Sequence, residues 1–262
     1  MSDPRHTGFA ASQRRLRLIA RHTLGEALHQ RMVLLLALTG AALVLGALGL
    51  RDFNFGAAEL KFIGDFGLGV VGLFGTLLAA LATSHLFFRE IDNRAAPCVL
   101  TRPVRRWEYL AGKFAGVVAL LTLFVTASAL VLAGVLAARG AQLAAVFVPL
   151  PVLLQACALQ WLKITLVAAM TLLICSYAGS ALFAGCTGLL LALVAHLRGI
   201  APGGGWAWLR LWPDLGLFDT ESLLAAGHPA PAAWLLSITG YWAAYVLLFV
   251  ALASHAFKRR EF

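Results

Sequence analysis

Long apolar runs separated by short polar segments dominate the pattern of this 262-residue chain. Six runs come near or exceed the roughly 18 residues that a helix needs to cross a bilayer. We place these spans at residues 32–50, 66–88, 114–136, 152–175, 181–197 and 232–257. Water-soluble cores do not contain several such runs. The pattern therefore predicts an all-α polytopic membrane protein with six transmembrane helices.

The stretch from Arg139 to Cys175 is too long for one straight helix. Pro149 and Pro151 interrupt it, and proline inside a helix removes a hydrogen bond and clashes with the preceding turn. We interpret residues 141–151 as an interfacial or re-entrant piece that leads into the fourth span. An alternative divides the stretch at Lys163 into two spans, which gives seven crossings and places the two termini on opposite sides.

The segment before the first span, residues 14–30, has a helical pattern of its own. On a helical wheel its apolar side chains share one side: Leu16, Ala20, Leu24, Ala27 and Leu28. The arginines lie away from that side or at its border. This pattern predicts a basic amphipathic helix in the lipid headgroup plane, with a disordered basic tail as the alternative.

Composition and charge agree with a membrane protein and add an orientation. Hydrophobic residues make up 61% of the chain and charged residues 13%, and the formal net charge is +9. Fifteen Lys and Arg residues lie before the first span, in residues 89–113 and after the last span, against five in the other loops. The positive-inside rule then places both termini and residues 89–113 in the cytoplasm, and residues 198–231 in an extracytoplasmic loop. Membrane topology accounts for the basic charge, so nucleic acid is not expected as a partner.

Motifs for catalysis and metal binding are missing from the sequence. It contains no HExxH and no GxSxG. The P-loop pattern fails at its only candidate, Gly112-Lys113, because Trp107 occupies the position of the first glycine. The four cysteines form no CxxC pair, and nothing supports copper as a substrate. We therefore assign no catalytic residue, no metal site and no cofactor to this chain.

Lys163 is the strongly ionic residue that falls near the middle of a predicted span. Ionisable groups at this depth are costly and are functional candidates by default. Three roles are open for it. Lys163 could line a translocation path, pair with an acidic residue of another helix, or extend towards the membrane surface.

Residues 89–113, REIDNRAAPCVLTRPVRRWEYLAGK, carry a resemblance to a known family. The layout resembles the ABC-2 type permeases, especially the branch of multi-copper enzyme maturation permeases. The residues that match the pattern of that family are Glu90, Leu100, Pro103-Val104, Arg105 or Arg106, Tyr109 and Gly112-Lys113.

The resemblance implies a single ABC-2 transmembrane domain over residues 1–262, with a type V exporter-like architecture. It implies a permease subunit in the inner membrane that exports a substrate together with a second permease chain, as a homodimer or heterodimer. ATP is then bound and hydrolysed by a separate ATPase subunit. The coupling element lies in residues 89–113, and the residues expected to carry it are Glu90, Leu100, Pro103, Val104, Arg105, Arg106, Trp107 and Tyr109.

Residue types in this loop support the same role independently, because aromatic side chains and arginine are enriched at the centres of protein interfaces. The alternative for the loop is contact with anionic lipid headgroups alone. The alternative for the whole chain is a non-transporting membrane scaffold or sensor.

Overall fold

The computed structural model describes residues 4–46, 59–92, 106–143, 149–198 and 212–258. Over these ranges the secondary structure is helical, without a β-strand. The α-helices in chain order are α1 (Pro4–His29), α2 (Arg31–Gly46), α3 (Glu59–Asp92), α4 (Arg106–Leu143), α5 (Leu150–Tyr177), α6 (Ala181–Leu197), α7 (Glu221–Ala226) and α8 (Ala232–Lys258). A single turn of 3₁₀-helix, Gly216–Phe218, precedes α7.

Four of these helices are long and apolar enough to cross a membrane: α3, α4, α5 and α8. Two shorter apolar helices, within α2 and α6, complete the set of six that the sequence predicts. The all-α membrane architecture is thus confirmed. The division at Lys163 is wrong, because α5 continues unbroken through that residue from Leu150 to Tyr177.

Local sequence explains where α5 and α6 begin. Pro149 precedes α5, and Pro151 lies in its first turn, where a missing N–H costs no intrahelical hydrogen bond. Ser180 caps α6, its hydroxyl accepting a hydrogen bond from the amide of Phe183 at 3.3 Å. Capping of this kind satisfies one of the free N–H groups at a helix start.

Helix α5 forms the centre of the bundle and α8 lies at its edge. The most apolar 18 residues of α5 are 78% buried, against 17% for α8. Around α5 pack α3, α4, α6 and α8. Large apolar side chains of α8 are left exposed, among them Leu236 and Leu247, as expected of a helix that faces lipid or another subunit.

Side-chain contacts define two ends of the bundle. At the α1 end, Glu26 of α1 lies 3.5 Å from Arg89 near the end of α3, and Tyr109 at the start of α4 stacks on Phe257 near the end of α8. At the opposite end, which we call the α7 end, Arg139 pairs with Glu59 at 2.5 Å. Helix α1 and the end of α8 therefore lie at the same end of the bundle, as an even number of crossings requires.

Helix α1 includes the predicted amphipathic segment, but its contacts differ from those expected. The predicted apolar side packs on α4 rather than facing only lipid, and Ala27 and Thr23 are fully buried. Glycines on α4 make this possible, because a Cβ at Gly116 would stand 2.6 Å from the Cβ of Thr23 and 2.9 Å from the carbonyl oxygen of Ala20. Leu18 and Leu28 stay exposed.

Residues 212–231 fold back onto the bundle, a structure that the sequence analysis did not predict. The amide of Leu215 donates to the carbonyl of Ala195 at 3.1 Å, which ties the segment to the end of α6. The amide of Asp214 donates to the Tyr241 hydroxyl of α8 at 2.8 Å. Helix α7 ends at Gly227, whose φ of 67° is a left-handed conformation typical of glycine after a helix.

Candidate functional site

Lys113 fastens α4 to the end of α3 at the α1 end. Its side chain is 2% exposed, and its ammonium donates to the carbonyl of Leu86 and, at 3.3 Å, to that of Phe87. The aromatic rings of Phe87 and Tyr109 lie 5.7 and 5.5 Å from the ammonium. Carbonyl oxygens and the faces of aromatic rings both carry partial negative charge, so the buried ammonium is stabilised there.

Glu108 connects the same region to α1. Its carboxylate is buried, and it accepts a hydrogen bond from the Ser12 hydroxyl at 2.6 Å. Arg15 of α1 lies 3.5 Å from the other carboxylate oxygen. Together with the Glu26–Arg89 pair, these contacts join α1, α3 and α4 into one unit at the α1 end. The sequence pattern does not single out Glu108.

The predicted coupling segment is shorter than a loop over residues 89–113. Helix α3 continues to Asp92 and α4 begins at Arg106, so the connection covers residues 93–105, which lie outside the described ranges. Leu100, Pro103, Val104 and Arg105 belong to that connection. Glu90 and Arg106 fall in the adjoining helix ends, and nothing is described of their side chains.

Trp107 and Tyr109 have different surroundings within the first turn of α4. Trp107 is 40% exposed, whereas Tyr109 is 3% exposed and packs on Phe257 with ring centroids 6.1 Å apart. Tyr109 therefore does not offer its ring to a partner; it holds the start of α4 against α8. Trp107 is the predicted coupling residue with a described and accessible side chain.

A second feature is a cavity of about 430 Å³ at the α7 end. It lies between α3, α5 and α6 and is covered by the segment that contains α7. Its charged and polar lining residues are Asp65, Thr76, Gln160, Lys163, His196, Asp219, Thr220 and Glu221. A volume of this size is within the range of small-molecule sites, about 300–1,000 Å³.

Lys163 lines this cavity about midway along the 28-residue helix α5. Its ammonium lies 3.5 Å from a carboxylate oxygen of Asp219, and the two side chains are 12% and 51% exposed. Of the three roles that the sequence left open, pairing with an acidic residue is the one that this contact realises. The partner comes from the 212–231 segment rather than from another spanning helix.

Gln160 lies one turn before Lys163 on the same side of α5. It is 4% exposed, and its carbonyl oxygen accepts no hydrogen bond from any described group. Gly72 of α3 makes room for it, because a Cβ there would stand 3.0 Å from that oxygen. The sequence signal for Gln160 is a polar residue at helical spacing from Lys163 within an apolar run.

The lining of the cavity combines charged, polar and apolar groups, which suits the binding of a small molecule. Over the described ranges, no group of three or more His, Cys, Asp or Glu side chains is placed to hold a metal ion. The charged groups come from α3, α5, α6 and the 212–231 segment, and leucines of α3 and α6 form much of the wall. The arrangement can hold a molecule that is partly charged and partly apolar.

Six apolar helices, with α5 at the centre of the bundle, define a polytopic α-helical membrane protein. A family model described as ABC-2 family transporter protein matches residues 17–207, and the chain belongs to that family. The matched range extends from within α1 to beyond the end of α6, and so covers the 93–105 connection and most of the cavity wall. The protein is accordingly a membrane permease component of an ABC transporter. No curated protein matches the sequence.

Proposed function

We propose that the protein is the exporting permease subunit of an inner-membrane ABC transporter, with both termini in the cytoplasm. Its ATPase subunit docks at the α1 end, on the 93–105 connection and the adjoining helix ends. A second permease chain completes the membrane part, and Lys163 lies on the path of the exported substrate.

The observation that carries this proposal is the joining of α1, α3 and α4 at the end of the bundle where the 93–105 connection begins and ends. Lys113 of α4 donates hydrogen bonds to carbonyls of α3. Glu108 of α4 accepts a hydrogen bond from Ser12 of α1 and forms an ion pair with Arg15 of α1. A force applied to the connection thus acts on three helices together. Because α3 also carries Gly72 and Thr76 of the cavity wall, movement at the α1 end can reach the cavity.

Charge supports the orientation. Arg14, Arg17 and Arg21 of α1 and Arg89 of α3 lie at the α1 end and are exposed. Excess Lys and Arg near short loops marks the cytoplasmic side. That is also the side on which an ATPase finds its nucleotide.

The test of docking uses Trp107→Ala, with Trp234→Ala as its matched control. The two side chains are equally exposed, 40% and 38%, but Trp234 begins α8 at the α7 end. Truncating an aromatic residue at an interface centre costs about 2 kcal/mol or more, roughly thirtyfold in affinity. We expect Trp107→Ala to lower the amount of ATPase subunit that co-purifies with the tagged permease, and Trp234→Ala to leave it unchanged.

A triple replacement of Pro103, Arg105 and Trp107 by alanine extends the test to the connection. It should abolish co-purification while membrane insertion, followed by the yield in washed membranes, stays normal. Equal recovery of the ATPase with the triple variant would reject docking at this site. Recovery of no ATPase with the unaltered chain would instead favour the scaffold or sensor.

A further inference from the structure

Hydrogen-bond acceptors outnumber donors in the cavity at the α7 end. Three carboxylates line it, Asp65 from α3 and Asp219 and Glu221 from the 212–231 segment. Lys163 supplies an ammonium group. His196 can donate or accept at a given ring nitrogen, depending on its tautomer.

Pairing leaves the cavity with an excess of negative charge. Asp219 and Lys163 offset each other at 3.5 Å. Asp65 and Glu221 have no cation within 4.0 Å in the part of the chain that the structure describes. Lys61, one turn before Asp65, is exposed and attracts it from a greater distance. A positively charged ligand would supply the partner that these two carboxylates lack.

Gln160 gives a second and independent indication of a ligand. Its side chain is 96% buried, and the carbonyl oxygen that faces Gly72 receives no donor from the described groups. A buried acceptor without a partner costs about 1–3 kcal/mol. Gln160 lines the cavity, so a polar ligand there can hydrogen-bond its amide, while the charge of the ligand follows from the carboxylates.

Size and wall chemistry narrow the class of cation. No three His, Cys, Asp or Glu side chains converge in the described structure, so the cavity offers one cation at most two carboxylates, which suits an ammonium group better than a bare metal ion. Leu73 and Leu77 of α3 and Leu189 and Leu193 of α6 provide apolar walls, and the volume of about 430 Å³ exceeds what an ammonium group alone would fill.

We propose that this cavity binds an amphiphilic amine, with its ammonium group between Asp65 and Glu221 and its apolar body against the leucines. The binding itself rests on the cavity alone. That the amine is the exported substrate rests on the proposed function.

The experiment measures binding of dansylcadaverine, a primary amine with an aromatic body, to the purified permease in phosphatidylcholine nanodiscs without any ATPase. Its N-acetyl derivative has the same body and no charge. Hydrogen bonds to charged groups contribute about 1.5–3 kcal/mol, so the amine should bind at least about tenfold more tightly than the amide. Equal binding of the two compounds would overturn the proposal.

Variants then locate the site. Asp65→Asn and Glu221→Gln should each weaken amine binding about tenfold. Asp214→Asn is the matched control: it removes a carboxylate from the same end of the bundle, lies outside the cavity, and keeps the oxygen that accepts from Gly216. Equal effects of Asp65→Asn and Asp214→Asn would contradict the assignment.

Gly69→Leu provides a variant that alters no charge and no hydrogen bond. A Cβ at Gly69 meets no atom within 4 Å, and the residue lines the cavity, so the new side chain enters open space. It should block the amine without lowering the thermal midpoint of the protein. Full binding by this variant would place the amine elsewhere.

Two further measurements show whether the amine comes from a lipid, and distinguish the amine proposal from the ATPase-docking proposal. If phosphatidylethanolamine added to the nanodiscs competes with dansylcadaverine, the natural ligand is a lipid headgroup amine. Without competition it is a free amine, and both results support amine recognition.

Trp107→Ala should leave amine binding unchanged, because that residue lies at the α1 end. Failure of ATPase docking and failure of amine binding are therefore distinguishable.

Discussion

Lys113 and Lys163 show two solutions to the same problem at the residue scale. An unpaired charge in a membrane-spanning bundle is costly. Lys113 is 2% exposed and finds helix carbonyls and aromatic faces. Lys163 is 12% exposed and finds Asp219 at the edge of a cavity. The first lysine serves the packing of α3 and α4, and the second has access to the cavity.

The contact with the cavity predicts that water reaches Lys163. In a background that lacks Cys98, Cys157, Cys175 and Cys186, Lys163→Cys should react with a small water-soluble thiol reagent applied from outside the cell. Thr165→Cys is the control, because Thr165 is fully buried two residues further along α5 and should stay unlabelled.

The same two variants define the contrary outcome for Lys163. If the water-soluble reagent fails and only a lipid-soluble reagent labels position 163, the side chain does not face a hydrated cavity. Lys163 would then extend along the helix to the membrane surface, the third role that the sequence left open.

At the scale of elements, the close approach of α1 to α4 depends on small residues. Gly112 and Gly116 lie one turn apart on α4, beneath Ile19 and Thr23 of α1. Both a side chain and the backbone carbonyl of Ala20 stand in the way of a larger residue at Gly116. A helix backbone cannot yield as a flexible side chain can, so this contact fixes the distance between the two helices.

This packing predicts opposite effects of alanine at two glycines of α4. Gly116→Ala should destabilise the protein by about 1–3 kcal/mol, the typical cost of overpacking, and should weaken ATPase association because α1 is displaced. Gly134→Ala should be neutral or stabilising by up to about 1 kcal/mol, since a Cβ there meets nothing within 4 Å and alanine is the better helix former.

Thermal unfolding in detergent and co-purification of the ATPase measure the two effects. Gly116→Ala with an unchanged midpoint and unchanged co-purification would show that α1 does not depend on close contact with α4. A lowered midpoint for Gly134→Ala as well would point to a general intolerance of the helix and not to the α1 contact.

Elements that depend on local hydrophobic pattern were predictable from the sequence. Spans of about 20 apolar residues, the break near Pro149 and the helix within residues 14–30 follow from composition and spacing alone. The exact start of α4 was missed, because Arg106, Trp107 and Glu108 are polar or interfacial by type, yet Glu108 is buried against α1. Such burial depends on a partner distant in sequence.

The cavity shows the same limit for the candidate site. Lys163 stood out because its charge lies inside an apolar run. Gln160 carries no charge, and Asp65 lies where the pattern predicts a loop, so the sequence singles out neither residue. Asp219 is 56 residues from Lys163, and only the folding of residues 212–231 onto the bundle brings the pair within 3.5 Å.

At the scale of the whole molecule, the two ends of the bundle differ in chemistry. The α1 end carries exposed arginines of α1 and Arg89, with buried polar contacts that join helices. The α7 end carries acidic side chains around a cavity. An ABC transporter permease needs such a division, since one side must meet the ATPase and the other must release or receive the substrate.

This division leads to a prediction of topology. Six spans with the α1 end in the cytoplasm require that a reporter active only in the cytoplasm is active after Phe262 and within residues 94–106. The same reporter should be silent within residues 52–61 and 203–213. This expectation rests on the fifteen Lys and Arg residues in the segments assigned to the cytoplasm, against five in the other loops. The continuous helix α5 removes the seven-span alternative. A reporter active only outside the cytoplasm should give the reverse pattern at all four sites. Activity of that second reporter after Phe262 alone would contradict the shared location of α1 and the end of α8. Reversal of the expected pattern at all four sites would keep the fold and invert the protein in the membrane.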